Sequence, residues 1–352
     1  MPFQLLALEG QSGVAIDGVE AEVLSECGPS SPAAAPRSSA PDWLKQAGRG
    51  LRHQKTVKKL RDFVLARGIR HLHAVHLDLP GWLVSQVARA TRRTFSLEAH
   101  ARDVYCSSFS LASMCRGATH VTVCNEAALQ HLAGRIGDGP QPVLIHHAMP
   151  QPDLPPPEDR SSAQVRIVFV GRLVAKKGAF DAIEIARMAQ ESLDRPVCLT
   201  MIGEGPYESA LRAAAGASAL PVEFTGWLES SAVIEHLRHR ADLLLLPARV
   251  SDDGDRDGIP NVILEAMTYY LPVVASAVGG IPEVVTPATG WSFPEGQLES
   301  AVAEIQSLVS DPEDRRERTL AARQLVAQKF DSEITADLRI SLFQAALSKS
   351  SS

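Results

Sequence analysis

Two short segments of the chain carry residue types able to hold a diphosphate and the hydroxyls attached to it. GRLVAKKG, residues 171–178, contains Arg172 and Lys177, a forked guanidinium and a mobile ammonium that together suit two linked phosphates. DGIPNVILEA, residues 257–266, contains Asp257 and Glu265, eight positions apart. Carboxylates beside a phosphate site cannot bind the anion; they suit hydroxyl donors, which means a sugar or a ribose. Taken singly, a basic loop is also an ordinary solvated surface and Glu265 an ordinary exposed helical residue. Glu265, however, follows Val262, Ile263 and Leu264 and precedes Ala266 and Met267. A carboxylate in so apolar a run is expected to be partly buried and to need a partner.

Each segment must be placed by a strand before it and a helix after it. RIVFVG, residues 166–171, is a β-branched apolar run ending in Gly, and Gly178 then opens a helical pattern with Phe180, Ile183 and Ile185. Arg172 and Lys177 therefore fall at the carboxyl end of a strand, where open α/β sheets bind ligands. In the second segment Pro260 stands at the first helical position, so a helix is expected to begin near Asn261 with free amides that attract an anion. Strands are expected near residues 72–77, 95–98, 120–124 and 142–146. After the Pro-rich stretch MPQPDLPPPEDRSSA, six more are expected near 165–170, 197–202, 222–225, 242–246, 273–276 and 291–293. Alternation of such strands with helical patterns gives parallel, doubly wound sheets. The expected division is a domain over 1–148, a linker over 149–164, a second domain over 165–330 and a final helix, 331–352, crossing back to the first.

These motifs resemble those of the retaining glycosyltransferases of family four, also called group one. GRLVAKKG matches that family's Gly-Arg loop ending in Lys-Gly, and Asp257 with Glu265 matches its acidic pair with seven residues between. MIGEGP (201–206), FTGWL (224–228), ADLLLLPA (241–248) and LPVVASAVGGIPEVV (271–285) follow in the family's order. LHAVHL (72–77) and FSLEAHARDVY (95–105) look like segments of the exopolysaccharide subgroup, which includes colanic-acid enzymes.

The resemblance implies an α/β chain of GT-B type, with two Rossmann-like domains facing a central cleft, the first on the acceptor side and the second binding the nucleotide sugar. It implies catalytic roles for Arg172, Lys177, Asp257 and His100, the last reaching the donor sugar. Gly171, Gly203, Glu204, Gly258, Ile259, Pro260, Asn261, Glu265 and Glu283 would line the donor site. The implied reaction moves a sugar from a nucleotide-diphosphate sugar to a hydroxyl of a saccharide or lipid-linked saccharide, with retention of configuration, in exopolysaccharide or other cell-surface glycan synthesis. No cofactor and no metal are expected, because Arg172 and Lys177 take the metal's place.

The chain departs from the family's pattern in three places. The first acidic residue is usually Glu and here is Asp257, whose carboxylate falls roughly 1.3–1.5 Å short unless its loop moves in. The helix usually ends Ala-x-Gly, whereas this chain has Thr268, Tyr269 and Tyr270, so Tyr270 must take a costly left-handed conformation or the helix must end differently. Residues 5–26 resemble the family's first helix and second strand, which would leave the family's first strand absent. Under a milder reading residues 3–10 form that strand. These departures motivate a second reading, a partner subunit of a glycan-assembly system that binds nucleotide with little or no turnover.

Composition fits a two-domain enzyme of 352 residues, 45% of them apolar. A net charge of −6 argues against nucleic acid as a partner, yet the first 150 residues hold 16 Lys and Arg against 12 Asp and Glu. The excess gathers in RHQKTVKKLRDFVLARG, residues 52–68, with an apolar stripe of Val57, Leu60, Val64 and Leu65. Such a helix either rests on the anionic inner face of a membrane or turns its stripe to the core and its cations to water. No membrane-spanning segment or signal peptide is read, and Cys27, Cys106, Cys115, Cys124 and Cys198 lack CxxC spacing. A cytoplasmic protein with reduced thiols is expected. CGPSSPAAAPRSSAP, residues 27–41, reads as a small-residue loop.

Overall fold

The computed structural model describes residues 5–7, 21–23, 42–155 and 163–349; the Pro-rich stretch 27–41 and Cys27 lie outside them. The chain forms two compact units. One holds the described residues up to Val123, then Ala128–Leu144 and the residues from Arg339 onward; the other holds Cys124–Ala127 and Ile145–Leu338.

The first unit contains β1 (Leu5–Ala7), β2 (Ala21–Val23), α1 (Asp42–Ala66), β3 (His71–Ala74), α2 (Leu79–Thr91), β4 (Thr94–Ala99), α3 (Ala101–Cys106), α4 (Leu111–Cys115) and β5 (Val121–Val123). Most of α5 (Glu126–Ala133) and β6 (Val143–Leu144) complete its main sheet, whose parallel order is β3-β4-β5-β6. β1 and β2 pair in parallel as a separate sheet. Leu5–Ala7 is thus a strand rather than the side of a helix, its backbone satisfied by the ladder to Ala21–Val23. On α1, Leu60 and Val64 are buried with Val57 packed against them, while Lys55, Lys58 and Lys59 face solvent. Leu65 leaves the expected stripe and is exposed.

The second unit runs β7 (Val165–Val170), α6 (Ala179–Ser192), β8 (Val197–Ile202), α7 (Glu208–Gly216), β9 (Val222–Gly226), α8 (Ser230–Glu235), β10 (Leu243–Leu246), α9 (Asn261–Thr268), β11 (Val273–Ser276), β12 (Trp291–Phe293), α10 (Leu298–Ser310) and α11 (Pro312–Lys329). The last helix, α12 (Ser332–Lys349), begins here, and its residues from Arg339 onward pack in the first unit. All six strands are parallel, in the order β12-β11-β10-β7-β8-β9. β10 reads Leu-Leu-Leu-Leu and is buried throughout, as a central parallel strand covered on both faces must be. α6 turns Ala182, Ile183, Ile185 and Ala186 inward; Phe180, expected in that apolar pattern, points outward and meets Tyr207 at the surface.

The winding reverses between β7 and β10. From β7 the chain proceeds outward through β8 to β9, and it returns to β10 on the other side before continuing to β11 and β12. Where winding reverses, the loops leaving adjacent strands part in opposite directions and open a crevice at the carboxyl edge. The loops after β7 and after β10 are those that carry GRLVAKKG and the approach to DGIPNVILEA.

Candidate functional site

The two loops are brought into contact by glycine. Gly178, at φ +68°, ends the first loop so close to β10 that an added Cβ would lie 1.7 Å from the Pro247 carbonyl oxygen. Ala179 then begins α6 directly. On the other flank Gly279, at φ +61°, lets the turn after β11 touch the second loop: its Cβ would fall 2.0 Å from the Asp257 carbonyl oxygen. The Gly280 N–H then donates to the Gly258 carbonyl at 3.0 Å.

Within this frame Lys177 Nζ donates to Asp257 Oδ2 at 2.6 Å. Lys176 Nζ lies 3.1 Å from Asp255 Oδ2 and 3.6 Å from Asp257 Oδ1. Asp255 and Lys176 are further tied by backbone, because the Lys176 carbonyl accepts the Arg249 N–H at 2.8 Å and the Asp255 carbonyl accepts the Ser251 N–H at 2.8 Å. Charges this deep persist because each has an opposite neighbour. Arg172 differs: it is exposed and forms no ion pair among the described residues.

α9 supplies the other half of the site. It begins at Asn261 with Pro260 as the capping residue, one position earlier than the first helical position expected for that proline. Ile259 and Pro260 are buried, whereas Asn261 is exposed and its Oδ1 accepts from His147 Nδ1 at 3.1 Å. Glu265 is half-buried on α9, a helix whose Val262, Ile263, Leu264 and Ala266 are buried, and burial raises its pKa above the ordinary carboxylate value. Its carboxylate forms no hydrogen bond or ion pair with the described residues, so the partner expected from the sequence is not supplied by the protein there. An isolated half-buried carboxylate is suited to a ligand that brings its own donors.

The remaining residues expected at the donor site frame these. Gly171 and Gly203 terminate β7 and β8: the Gly171 N–H donates to the Ile202 carbonyl and the Gly203 N–H to the Gly226 carbonyl, each at 2.9 Å. The Glu204 carbonyl receives the Leu173 N–H at 2.9 Å, and its side chain accepts the Trp227 N–H at 3.3 Å. Glu283 is engaged by backbone, its Oε1 accepting the Ala127 N–H at 3.0 Å. Arg172, Lys177, Asp257, Glu265, Glu283 and the framing glycines therefore belong to one unit.

His100 belongs to the other unit. It caps α3, where its N–H donates to Asp103 Oδ2 at 3.0 Å, and its Nε2 lies 3.7 Å from Glu98 Oε1. Sequence reasoning missed Lys176, Asp255 and His147. The adjacent lysines of GRLVAKKG and the acidic run DDGDRD, residues 252–257, were the available signals for the first two; no local pattern marked His147.

A profile described as Glycosyl transferases group 1 matches residues 151–325. An amylovoran biosynthesis glycosyltransferase of Erwinia amylovora is 35% identical over 175 residues, which is 48% of this chain and 42% of that one. A GDP-mannose-dependent monoacylated alpha-(1-6)-phosphatidylinositol monomannoside mannosyltransferase of Corynebacterium glutamicum is 33% identical over 200 residues, 54% of this chain and 52% of its own. The chain thus spans about half the length of these curated relatives. Among solved structures, Anabaena HepE in complex with UDP-glucose aligns with a TM-score of 0.70 at 16% identity, over 98% of this chain and 99% of that one. The S. aureus TarM mutant in complex with UDP aligns with a TM-score of 0.60 at 16% identity, over 71% of this chain and 51% of its own. Such likenesses show the fold, the GT-B class of two parallel α/β units expected from the sequence. Over residues 151–325 this chain carries a glycosyl transferases group 1 domain.

Proposed function

We propose that the chain transfers a sugar from a nucleotide-diphosphate donor to a hydroxyl of a saccharide or lipid-linked saccharide, retaining the anomeric configuration. The observation that carries this reading is the convergence of Lys177, Asp257 and the start of α9 at the winding reversal between β7 and β10. Arg172 and Lys177 meet the diphosphate as it departs; its charge grows in the transition state, so these cations lower the barrier rather than only tightening binding. The first amides of α9 add to that field. Glu265 accepts from the ribose hydroxyls, and Asp257 from hydroxyls of the donor sugar. His100 is assigned to the donor sugar, and Glu283 to the same pocket. The acceptor attacks on the leaving-group side, with a phosphate oxygen taking its proton, and side-chain cations stand in place of metal or cofactor.

The relatives named for amylovoran and mannoside synthesis support an exopolysaccharide or other cell-surface glycan as the product. Synthesis from nucleotide sugars places the chain in the cytoplasm in this reading; the apolar stripe of α1 is taken up by the core, so any contact with the inner membrane surface is left to the exposed Lys55, Lys58 and Lys59. No helix among the described residues is long and apolar enough to cross a membrane.

The test incubates the protein with UDP- and GDP-sugars and saccharide acceptors and follows free nucleotide. Acceptor-dependent release that falls roughly 10²–10³-fold in Arg172→Ala and Lys177→Ala supports transfer. Nucleotide binding without release across the panel supports the partner-subunit reading instead. Absence of both refutes the site.

A further inference from the structure

The proposed reaction gives Lys177 a task that its resting contacts oppose. Lys177 is bound to Asp257, and its side chain is only 15% exposed. Its ammonium has three donors, but to give its charge to a diphosphate it must loosen its hold on that carboxylate. A buried carboxylate stripped of its cation is strongly unfavourable, so the step needs a second positive charge that stays behind.

Lys176 stands in that position. Its Nζ approaches Asp257 on Oδ1, at 3.6 Å, leaving Oδ2 to Lys177. It is held there by Asp255 at 3.1 Å, and both partners are nearly enclosed, at 13% and 9% exposure. The main chain fixes it as well, through the Lys176 carbonyl and the Arg249 N–H. Lys176 and Lys177 face Asp255 and Asp257 in the resting state, while the exposed Arg172 forms no ion pair among the described residues.

We infer that Lys176, anchored by Asp255, is a positioning residue that keeps Asp257 in place and compensated while Lys177 passes from Asp257 to the donor diphosphate. This rests on the proposed function. The arrangement also bears on the short side chain of Asp257: the carboxylate is reached from both sides by lysines of the first loop, so its position is set by them rather than by its own length.

The test is calorimetric titration of the full chain with UDP, GDP and inorganic pyrophosphate, with uridine and guanosine as phosphate-free controls. Lys176→Met weakens binding of the diphosphate probes on the order of tenfold, because Lys177 then has no substitute to leave behind. Lys176→Arg keeps the charge and most of the affinity. Adding Asp257→Asn to Lys176→Met restores binding, since Lys177 no longer has an anion to abandon. That rescue separates the inference from a purely structural role, which removal of a second charge would not repair. Should Lys176→Met not fold, Lys176→Gln, whose amide still donates to Asp255, replaces it. Unchanged diphosphate binding in Lys176→Met, or in Lys176→Gln where that replaces it, or a loss that Asp257→Asn does not restore, overturns the inference alone. A wild-type protein that binds none of the diphosphate probes overturns the proposed function, and the inference with it.

Discussion

Lys177 Nζ and Asp257 Oδ2 lie 2.6 Å apart, joining the loop after β7 to the loop after β10 across the point where the sheet's winding reverses. This pair decides what removal of Asp257 does. Asp257→Asn is expected to leave UDP and GDP binding unimpaired, since Lys177 is released, while sugar transfer falls by about a hundredfold because the donor sugar loses an oriented acceptor. Asp257→Glu should keep nucleotide affinity and raise turnover. Titration calorimetry and initial rates on the same preparations check both.

Glu265 costs the free protein stability, because burial raises its pKa and no group among the described residues compensates. The sign follows from linkage: a carboxyl whose folded pKa is raised favours the fold when protonated and loses that favour as pH rises through the folded value. Glu265→Gln should therefore melt at higher temperature than the wild type at pH 7.5, with the difference shrinking below the ordinary carboxylate range. The same variant should bind UDP about tenfold more weakly, as a neutral acceptor replaces a charged one. With 2′,3′-dideoxy nucleotide the two proteins should bind alike.

Tyr270 resolves one of the alternatives posed by the sequence. It adopts φ +56°, closing α9 with the Leu271 N–H donating to the Ala266 carbonyl at 2.9 Å and its own N–H to the Met267 carbonyl at 3.2 Å. This is the glycine-type helix ending built with a tyrosine, at a cost of roughly 1–2 kcal/mol. Tyr270→Gly should stabilise the protein by about 0.5–1 kcal/mol in urea denaturation, after the greater freedom of glycine in the unfolded chain is subtracted.

A fourth expectation concerns acid. In the first unit Phe343 of α12 presents its ring to His71, His73 and His120 at 6.0, 5.0 and 5.9 Å. Burial, then the neighbouring His73, lowers both His71 and His120 to a pKa of about 4; His120 also acts on His71, and Lys349 on His120. Alongside them, burial pushes the Glu98 carboxyl up, but the His73 ring and the Arg339 guanidinium outweigh it and hold it well below the usual range. Arg339 Nη2 donates to Glu98 Oε1 at 3.0 Å, and Nη1 donates to Oε2. Unfolded histidines protonate near 6.5, so between that pH and about 4 the unfolded chain holds protons the fold refuses, and stability falls as pH falls. Glu98 adds to the loss below its ordinary value, where the unfolded carboxyl takes a proton. Urea midpoints should decline steadily from pH 7 to pH 4, and His120→Asn should make that decline shallower.

The strands were legible because their β-branched and leucine-rich runs are bounded by Gly and Pro; β7, β8, β11 and β12 span the expected residues. The loops that hold Arg172, Lys177 and Asp257, and the helix that carries Glu265, were legible for the same reason, since a strand ending and a helix beginning leave recognisable punctuation. Which lysine of the adjacent pair reaches Asp257 was not, because both do, from opposite oxygens, and that depends on how the first loop turns through Ala175–Lys177. His147 was hidden because its contact with Asn261 spans more than a hundred residues of chain. Leu65 and Phe180 were read inward because periodicity gives a face but not where neighbouring helices stop covering it.

The return of α12 to the first unit sets an order of assembly. Ribosomes add roughly 5–20 residues each second, so on the order of ten seconds or more separate β6 from Arg339 during synthesis. Throughout that interval Glu98 waits for its guanidinium and the three histidines for their aromatic cover. The half of the protein that emerges first is thus finished last, and a nascent chain halted before Arg339 would present an open, acid-sensitive sheet face to whatever chaperone or neighbour reaches it.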